Sequence, residues 1–298
     1  MKFWTLLALT LVFCISCSKG ERVKIRDDGG DADDIEPFQY DKAAGCFRTG
    51  IVGGEKIGKE NPRSKHVVLL IMQNEKGTST CTGSLISQRT VLTAAHCLQE
   101  KTQKVEVVFH NSMRCTDGMN SKLIYNVDLK NMKLHPQWND NVHVKTGPAK
   151  DTANNDVALL KLSADAPSDY KPIQIATAEE VSNASEFFQI GYGRINTRTI
   201  RVPELRETTA DKYNVSYLES SKYLLVTQRN NKGGCMGDSG GPLLIKTDKT
   251  YKVAGIASFL TSYYSEKKIC ENAEMIYDSA NDYTDWIAKT KNELEQLN

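Results

Sequence analysis

The chain has almost no excess of charge of either sign. Its 298 residues include 38 Lys and Arg against 37 Asp and Glu, for a formal net charge of +1. No long-range field would gather a nucleic acid or an anionic membrane around such a chain, so we expect no nucleic-acid partner. With 40% hydrophobic and 25% charged residues, the composition also excludes collagen-like, disordered and polytopic membrane classes.

The sequence lacks an apolar run long enough to cross a bilayer, for which about 20 residues are needed. The run at residues 3–15 follows Met1 and Lys2 and precedes a polar stretch, an order typical of a secretory signal, and we assign residues 1–17 to it. Its end also resembles a bacterial lipoprotein signal, so plain cleavage and a lipid anchor at Cys17 both stay open. The expected location is secreted, periplasmic or at the outer envelope.

No internal repeat of fixed period is present, which argues against a propeller or a solenoid. From residue 51, short apolar or alternating runs are separated by Gly, Asn, Asp and Lys clusters, a texture typical of short strands. The clearest runs lie at 66–72, 105–109 and 253–259. Clear helical spacing occurs only at about 282–297. We therefore predict an all-β body with a C-terminal helix.

Residues 18–50 offer few apolar side chains that a folded core could bury. The segment 27–34 (DDGGDADD) carries five aspartates that repel one another, and the region is predicted to be an acidic linker or pro-segment. A calcium loop is the alternative for this segment. The linker is preferred because the spacing lacks the Gly and the closing Glu of that loop. The rest of the chain, residues 51–298, is predicted to form one domain.

Three short segments carry residues suited to catalysis. They are 92–97 (LTAAHC), 154–160 (NNDVALL) and 237–243 (GDSGGPL). A serine hydroxyl is a poor nucleophile unless a histidine base, held in the right tautomer by a buried carboxylate, activates it. Each of His96, Asp156 and Ser239 would be interpreted as structural if it stood alone, but together they supply all three parts. The glycines around Ser239 would let two backbone N–H groups converge on a developing oxyanion.

With three further segments, these motifs resemble the trypsin- and chymotrypsin-like serine peptidases. The further segments are 51–54 (IVGG), 191–193 (GYG) and 283–287 (YTDWI), and all six occur in the family's order. The resemblance implies two packed six-stranded antiparallel β-barrels, at about 51–165 and 166–280, with the active site in the cleft between them. We expect a monomer that acts on protein or peptide substrates and needs no metal or organic cofactor.

The resemblance also assigns roles to matched residues. His96 would be the general base and then acid, Asp156 its orienting carboxylate, and Ser239 the nucleophile that forms an acyl-enzyme. Gly237 and Ser239 would supply the oxyanion N–H groups. The edge segment that would pair with extended substrate backbone consists of Ser258, Phe259 and Leu260.

The cysteines agree with an oxidising location. Two pairs match family disulfides, one beside the catalytic histidine and one framing the specificity pocket: Cys81 with Cys97, and Cys235 with Cys270. After signal removal, Cys46 and Cys115 remain, and cysteine parity predicts a bridge between them. A metal site is the alternative use of cysteine, but Cys-x-x-Cys pairs with matching histidines are missing outside the signal.

Activation and specificity depart from the commonest family pattern. Cleavage before Ile51 would free an ammonium group, and Asp238 matches the buried carboxylate that accepts it, so a proenzyme is expected. In residues 48–50 (RTG), a trypsin-type cut after Arg48 would fall two residues before the required site at Ile51. Self-activation and cleavage by another peptidase therefore both stay open.

The pocket predicted by the resemblance is shallow and apolar. Gly233, beside Gly234, stands where trypsin-like members have a floor Asp, so the counter-ion for Arg or Lys is lost. Leu260 and Met275 stand where the family commonly has wall glycines. We therefore expect a preference for Ala, Val, Thr or Gly before the scissile bond.

Two other classes of function are alternatives to a peptidase. A catalytically idle binding module of the same fold is the runner-up, but such members usually lose a triad residue and all three are present. An esterase of the α/β-hydrolase type would explain the Gly-x-Ser-x-Gly pattern at 237–241. The order His, Asp, Ser along the chain rejects that esterase.

Overall fold

The computed structural model describes residues 51–297, except for 76, 100–101, 113–122, 140–153, 195–203, 262–269 and 271–272. The predicted signal at 1–17, the acidic segment 18–50 and the cysteines Cys17, Cys46 and Cys115 lie outside the described residues. Among the residues that are described, no helix is long and apolar enough to cross a membrane.

Short strands dominate the described part of the chain. In chain order they are β1 (Glu55–Lys56), β2 (Val67–Asn74), β3 (Gly77–Leu85), β4 (Thr90–Thr93), β5 (Lys104–Val108), β6 (Ile124–Val127), β7 (Met132–Leu134), β8 (Ala158–Lys161), β9 (Gln174–Ile175), β10 (Glu186–Gly191), β11 (Arg206–Asp211), β12 (Val215–Leu218), β13 (Tyr223–Thr227), β14 (Pro242–Lys246), β15 (Tyr251–Thr261) and β16 (Glu274–Ser279). The helices are α1 (Ala178–Asn183) and α2 (Thr284–Gln296).

The first sheet is antiparallel and runs β6-β5-β2-β3-β4-β8-β7. At one edge of the sheet β6 pairs with β5, and at the other edge β7 pairs with β8. Asp128 and the 3-10 turn Leu129–Asn131 are all that separates β6 from β7, and the Asp128 side chain caps this turn by accepting the Lys130 N–H at 3.1 Å. One bent segment therefore closes the sheet into a barrel, which has six strands when β6 and β7 are counted as one.

The second sheet closes by the same device. Its order is β1-β11-β10-β14-β15-β16-β13-β12, with β9 added parallel to β15. The 3-10 turn Lys212–Asn214 joins β11, which pairs with β10, to β12, which pairs with β13. The predicted pair of six-stranded antiparallel barrels is confirmed. The short β1, which falls in the range predicted for the first barrel, pairs with β11 of the second.

The alternation of side chains along the strands explains where the core lies. Along β2, Leu70 packs inside the first barrel, whereas its neighbour Leu69 packs in the layer between the barrels with Ile190 and Ile256 of the second. Both faces of β2 are therefore buried, which accounts for its unbroken apolar sequence. At about 1.5–3 kcal/mol for each buried Leu or Ile side chain, this layer holds the two barrels together.

The C-terminal helix was predicted at about 282–297 and is found at Thr284–Gln296, after the 3-10 turn Ala280–Tyr283. Its buried residues Ile287 and Leu294 join the layer between the barrels. The short helix α1 was not predicted. It begins with a capping box in which Thr177 accepts the Glu180 N–H at 3.2 Å and Glu180 accepts the Thr177 N–H at 2.9 Å.

Candidate active site

Strand pairing in the first barrel brings His96 and Asp156 together. Thr93 at the end of β4 pairs with Ala158 at the start of β8, and His96 and Asp156 lie just beyond these two residues. The His96 Nδ1 atom is 2.6 Å from Asp156 Oδ2, and the His96 backbone N–H donates to Asp156 Oδ1 at 2.8 Å. A carboxylate only accepts hydrogen bonds, so Nδ1 carries the proton and Nε2 is left as a base.

The second barrel adds a third donor to Asp156. The Ser258 hydroxyl, in β15, donates to Asp156 Oδ2 at 2.6 Å. Burial raises the pKa of the fully buried Asp156 carboxyl, but the charge of His96 and the hydrogen bonds from His96 and Ser258 lower that pKa by more, so the net shift is downward. Asp156 is therefore an anion that fixes the imidazole.

Ser239 comes from the second barrel and contacts the first barrel near His96. Its carbonyl accepts the N–H of Thr82 at 2.8 Å. The residue before Thr82 is Cys81, which is disulfide-bonded to Cys97 beside His96. Ser239 is 7% exposed and His96 is 8% exposed, so both residues are buried except for a small part of their surface.

Glycine is required on the far side of Ser239. Gly240 has a φ of +75°, and a β-carbon there would overlap the Thr93 hydroxyl and lie 2.8 Å from the Ala94 nitrogen. Its N–H donates to the Ala257 carbonyl at 2.7 Å, one residue before Ser258. Ser239 is thus held against both the His96 segment and the strand that carries Ser258. Gly237, with φ +93°, lies in the same turn.

Asp238 is buried behind this turn. Its Oδ1 accepts the Gly193 N–H at 2.7 Å and its Oδ2 accepts the Cys235 N–H at 2.8 Å. A β-carbon at Gly191 or Gly193 would overlap this carboxyl group, which explains the Gly-Tyr-Gly segment. Burial raises the pKa of Asp238 to about 7, although the two N–H groups lower it.

The predicted activation site lies beside the same segment. Ile51 is buried, and Val52 and Gly233 exchange two backbone hydrogen bonds of 3.0 and 3.1 Å. Two residues after Gly233 comes Cys235, which binds the Asp238 carboxyl. The structure therefore brings Ile51 to the part of the chain that holds Asp238.

Both disulfides implied by the resemblance are present, Cys81–Cys97 and Cys235–Cys270. Cys81, His96 and Cys97 are also close enough together to resemble a metal site. The sulfur atoms of Cys81 and Cys97 are bonded to each other, so neither is a thiolate. A structural metal centre would require thiolate ligands. This cluster does not fit a metal ion.

The residues predicted to form the pocket are also together. Met275 carbon and sulfur atoms lie 3.3–3.5 Å from where a β-carbon on Gly234 would be, and Leu260 packs against Val52 and the Cys235–Cys270 bridge. Sequence reasoning missed the buried Gln228, whose Nε2 donates to the Gly234 carbonyl at 3.0 Å. The one signal for Gln228 in the sequence was a polar residue directly after the largely apolar strand β13.

The sequence analysis also missed a second buried residue, Asp278, which lies near Asp156. Asp278, which follows the apolar residues 275–277 of β16, is fully buried, and its Oδ1 accepts the Tyr283 hydroxyl at 2.9 Å. A charged residue at the end of a short apolar run was the available signal.

Comparison with known proteins agrees with this fold. The family model described as Trypsin matches residues 51–287. Chymotrypsin-like elastase family member 1 of Homo sapiens is 30% identical over 229 residues, covering 71% of this chain and 82% of the relative. The protein of the same description from Macaca fascicularis is 29% identical over 255 residues, or 80% and 89% of the two chains. Chymotrypsin-like elastase family member 3B of Macaca mulatta is 26% identical over 235 residues, or 74% and 86%. The chain therefore belongs to the trypsin/chymotrypsin-like family of serine peptidases.

Proposed function

We propose that the chain is a serine endopeptidase that hydrolyses peptide bonds through Ser239, His96 and Asp156. The observation that carries this proposal is the 2.6 Å contact between His96 Nδ1 and the buried, anionic Asp156. Ser239 is hydrogen-bonded to Thr82, which is next to the disulfide that ends at Cys97, the residue after His96. A buried carboxylate bonded to both the ring and the backbone of a histidine fixes the tautomer that a base needs.

The reaction follows from these groups. The His96 Nε2 atom takes the proton of the Ser239 hydroxyl as Oγ attacks the substrate carbonyl carbon, and the oxyanion accepts the N–H groups of Gly237 and Ser239. His96 then gives that proton to the leaving amine, and the C–N bond breaks to leave an ester on Ser239. Water attacks this ester with His96 again as the base, which releases the acid and regenerates the hydroxyl.

The chain is proposed to be made as a proenzyme. Cleavage before Ile51 would create an ammonium group next to the segment that holds Asp238. Burial makes the Asp238 anion unfavourable by itself, and a paired ammonium would stabilise it. The Gly237–Ser239 turn would then change arrangement on cleavage, because Asp238 is its central residue.

The proposed location is outside the cytoplasm, either secreted or in a bacterial periplasm or outer envelope. The two disulfides support it, since such bonds persist in oxidising compartments. The intact mass of the processed chain distinguishes plain signal cleavage from lipidation of Cys17.

Specificity for small apolar residues before the scissile bond is the finer part of the proposal. Leu260 and Met275 bring apolar bulk to the pocket, and the floor residues Gly233 and Gly234 carry no side chain to pair with Arg or Lys. The preference is expected to be broad, because one methylene in such a pocket changes discrimination by only about 1–3 kcal/mol.

The test is to profile the purified, cut protein against a peptide library, with a serine-directed phosphonate as a label. Wild type should cleave the library and take up the label, and the matched Ser239→Ala protein should do neither. Cleavage that survives Ser239→Ala would overturn the proposed nucleophile. Correctly cut wild type that neither cleaves nor labels would favour the idle binding module.

A further inference from the structure

Asp278 is a second buried carboxyl group close to the one that binds His96. In the β15–β16 ladder, Asp278 pairs with Ile256. The register shifts between Ala257 and Phe259, so Ser258 is the extra residue of a bulge, which turns its hydroxyl to Asp156. Asp278 and Asp156 have no exposed surface, and Ser258 has 4%. The bulge thus places a hydroxyl and two dry carboxyl groups in one cluster.

The hydrogen bonds around Asp278 suit a neutral group better than an anion. Its Oδ1 accepts the Tyr283 hydroxyl at 2.9 Å, but its Oδ2 is buried without a hydrogen-bond partner among the described residues. The Ser258 hydroxyl has one proton, which it donates to Asp156. Leaving an anionic oxygen buried without a donor is unfavourable, whereas a protonated carboxyl group avoids most of that cost.

Titratable groups on three described elements face Asp278, and a lysine lies beside one of these groups. Asp156 faces it from the segment before β8, and Tyr223 pairs with it from β13. Tyr283 binds it from the turn before α2, and the Lys222 ammonium lies 5.5 Å from the centre of the Tyr283 ring. Burial, followed by the charge of Asp156, raises the pKa of Asp278 to about 8, and the Tyr283 hydrogen bond, with the nearby dipoles of the Asp156 N–H and the Ser258 hydroxyl, offsets this only in part.

We propose that Asp278 is a positioning residue of the active site: as a neutral carboxyl group it holds Tyr283 and keeps a second negative charge away from Asp156, and its ionisation makes His96 a stronger base. This inference rests on the proposed function, since it concerns the base of that reaction. The group loses its proton to solvent, and no bond to substrate is formed.

The consequence for His96 follows from electrostatics. With Asp278 neutral, the imidazolium formed during the reaction faces one carboxylate. With Asp278 ionised, it faces two, and a negative charge added to a dry site favours the protonated ring. The two titrations are therefore coupled, and each step belongs to the pair of groups.

NMR titration of the His96 ring in Ser239→Ala protein tests the inference without any turnover. With Asp278 intact, the ring should report two steps, the second near pH 8. The Asp278→Asn variant mimics the neutral group. In it we expect a single step, about one pH unit below the overall midpoint of the His96 titration in the protein with Asp278 intact. Superimposable curves would overturn the inference. The matched control is Asp282→Asn, which removes a nearby acid that binds the Tyr217 hydroxyl, and an equal change there would also overturn it.

A second variant covers the case in which Asp278→Asn does not fold. Tyr283→Phe removes the donor to Asp278 Oδ1, so the second step should move to higher pH while the first remains. An unmoved second step would refute the assignment to Asp278. In the active, cut enzyme, the plot of kcat/KM against pH should show the same extra step. A protein without any turnover would fail the proposed function, whereas the NMR titration would still decide the role of Asp278.

Discussion

The side chain of Gln228 occupies the space in which a β-carbon on Gly233 would have to lie. Gln228 is buried and held there by its 3.0 Å bond to the Gly234 carbonyl. An amide thus stands at the position where a trypsin-like pocket would carry the floor carboxylate. Under the proposed specificity, packing as well as sequence therefore excludes a carboxylate counter-ion at residue 233.

Gly233→Asp should not produce cleavage after Arg or Lys. The new side chain overlaps Gln228, and overpacking of this kind costs about 1–3 kcal/mol. We expect a lower free energy of unfolding in urea and an unchanged library profile. Adding Gln228→Ala should restore part of the stability. A single variant as stable as wild type would contradict the overlap.

Met275→Ala should widen the pocket. Because the Met275 side chain packs against Gly234, its removal should raise kcat/KM for Leu or Phe relative to Ala about tenfold, as measured with matched peptides. The control is Met72→Ala, at a methionine buried in the first barrel. Both variants should lose about 2–5 kcal/mol of stability. The profile should shift in Met275→Ala alone, and a shift in both would point to general loosening.

Ser239→Ala and His96→Ala should each lower peptidase turnover by several orders of magnitude, and the double variant should be little worse than either. The reason is that the groups act as a unit, while residual catalysis comes from oxyanion stabilisation and binding. Steady-state kinetics on one substrate measure this. Additive losses in the double variant would argue against a shared mechanism.

The uncut and cut chains should differ in the pH dependence of their stability. In the uncut chain, the folded pKa of Asp238 is about 7, above its unfolded value of about 4. The folded state then binds more protons between those values, so stability falls as pH rises from about 4 to about 7. In the cut chain, the Ile51 ammonium should remove this loss, and its own contribution, full below about pH 8, should vanish as pH rises through its raised folded pKa.

Urea unfolding of Ser239→Ala protein at pH 4, 7 and 9, with and without cleavage at a protease site inserted before Ile51, measures this difference. The gain on cleavage should grow from pH 4 to pH 7 and shrink at pH 9 or above. The Asp278 contribution is common to both forms and cancels. Parallel pH curves would contradict pairing of Ile51 with Asp238.

Cys46 and Cys115 should form a bridge that ties the pro-segment to the body after cleavage. Parity of the cysteines left after signal removal is the basis for this expectation. Peptide mapping without reductant should find the two cysteines in one linked fragment, and a free thiol at either position would rule the bridge out.

Residue type and order were enough to predict the strands with unbroken apolar sequence and the segments around His96, Asp156 and Ser239. The turns Leu129–Asn131 and Lys212–Asn214 could not be predicted as barrel closures, because their role depends on pairing with strands far away in sequence. The helix α1 carried its capping signal at Thr177 but is too short for a periodic pattern. Asp278 looked like one polar position in a strand, since its proximity to Asp156 arises only when the barrels meet.

The origin of the site residues also bears on the order of folding. His96 and Asp156 belong to one barrel, so the bonds between them can form as soon as β4 and β8 pair. Ser239 and Ser258 arrive with the other barrel, and the Ser258–Asp156 bond closes only when the two are docked. In a refolding experiment, formation of the first barrel can therefore precede any catalytic competence. The return of the proposed peptidase activity would therefore report on docking of the two barrels and not on the assembly of either one.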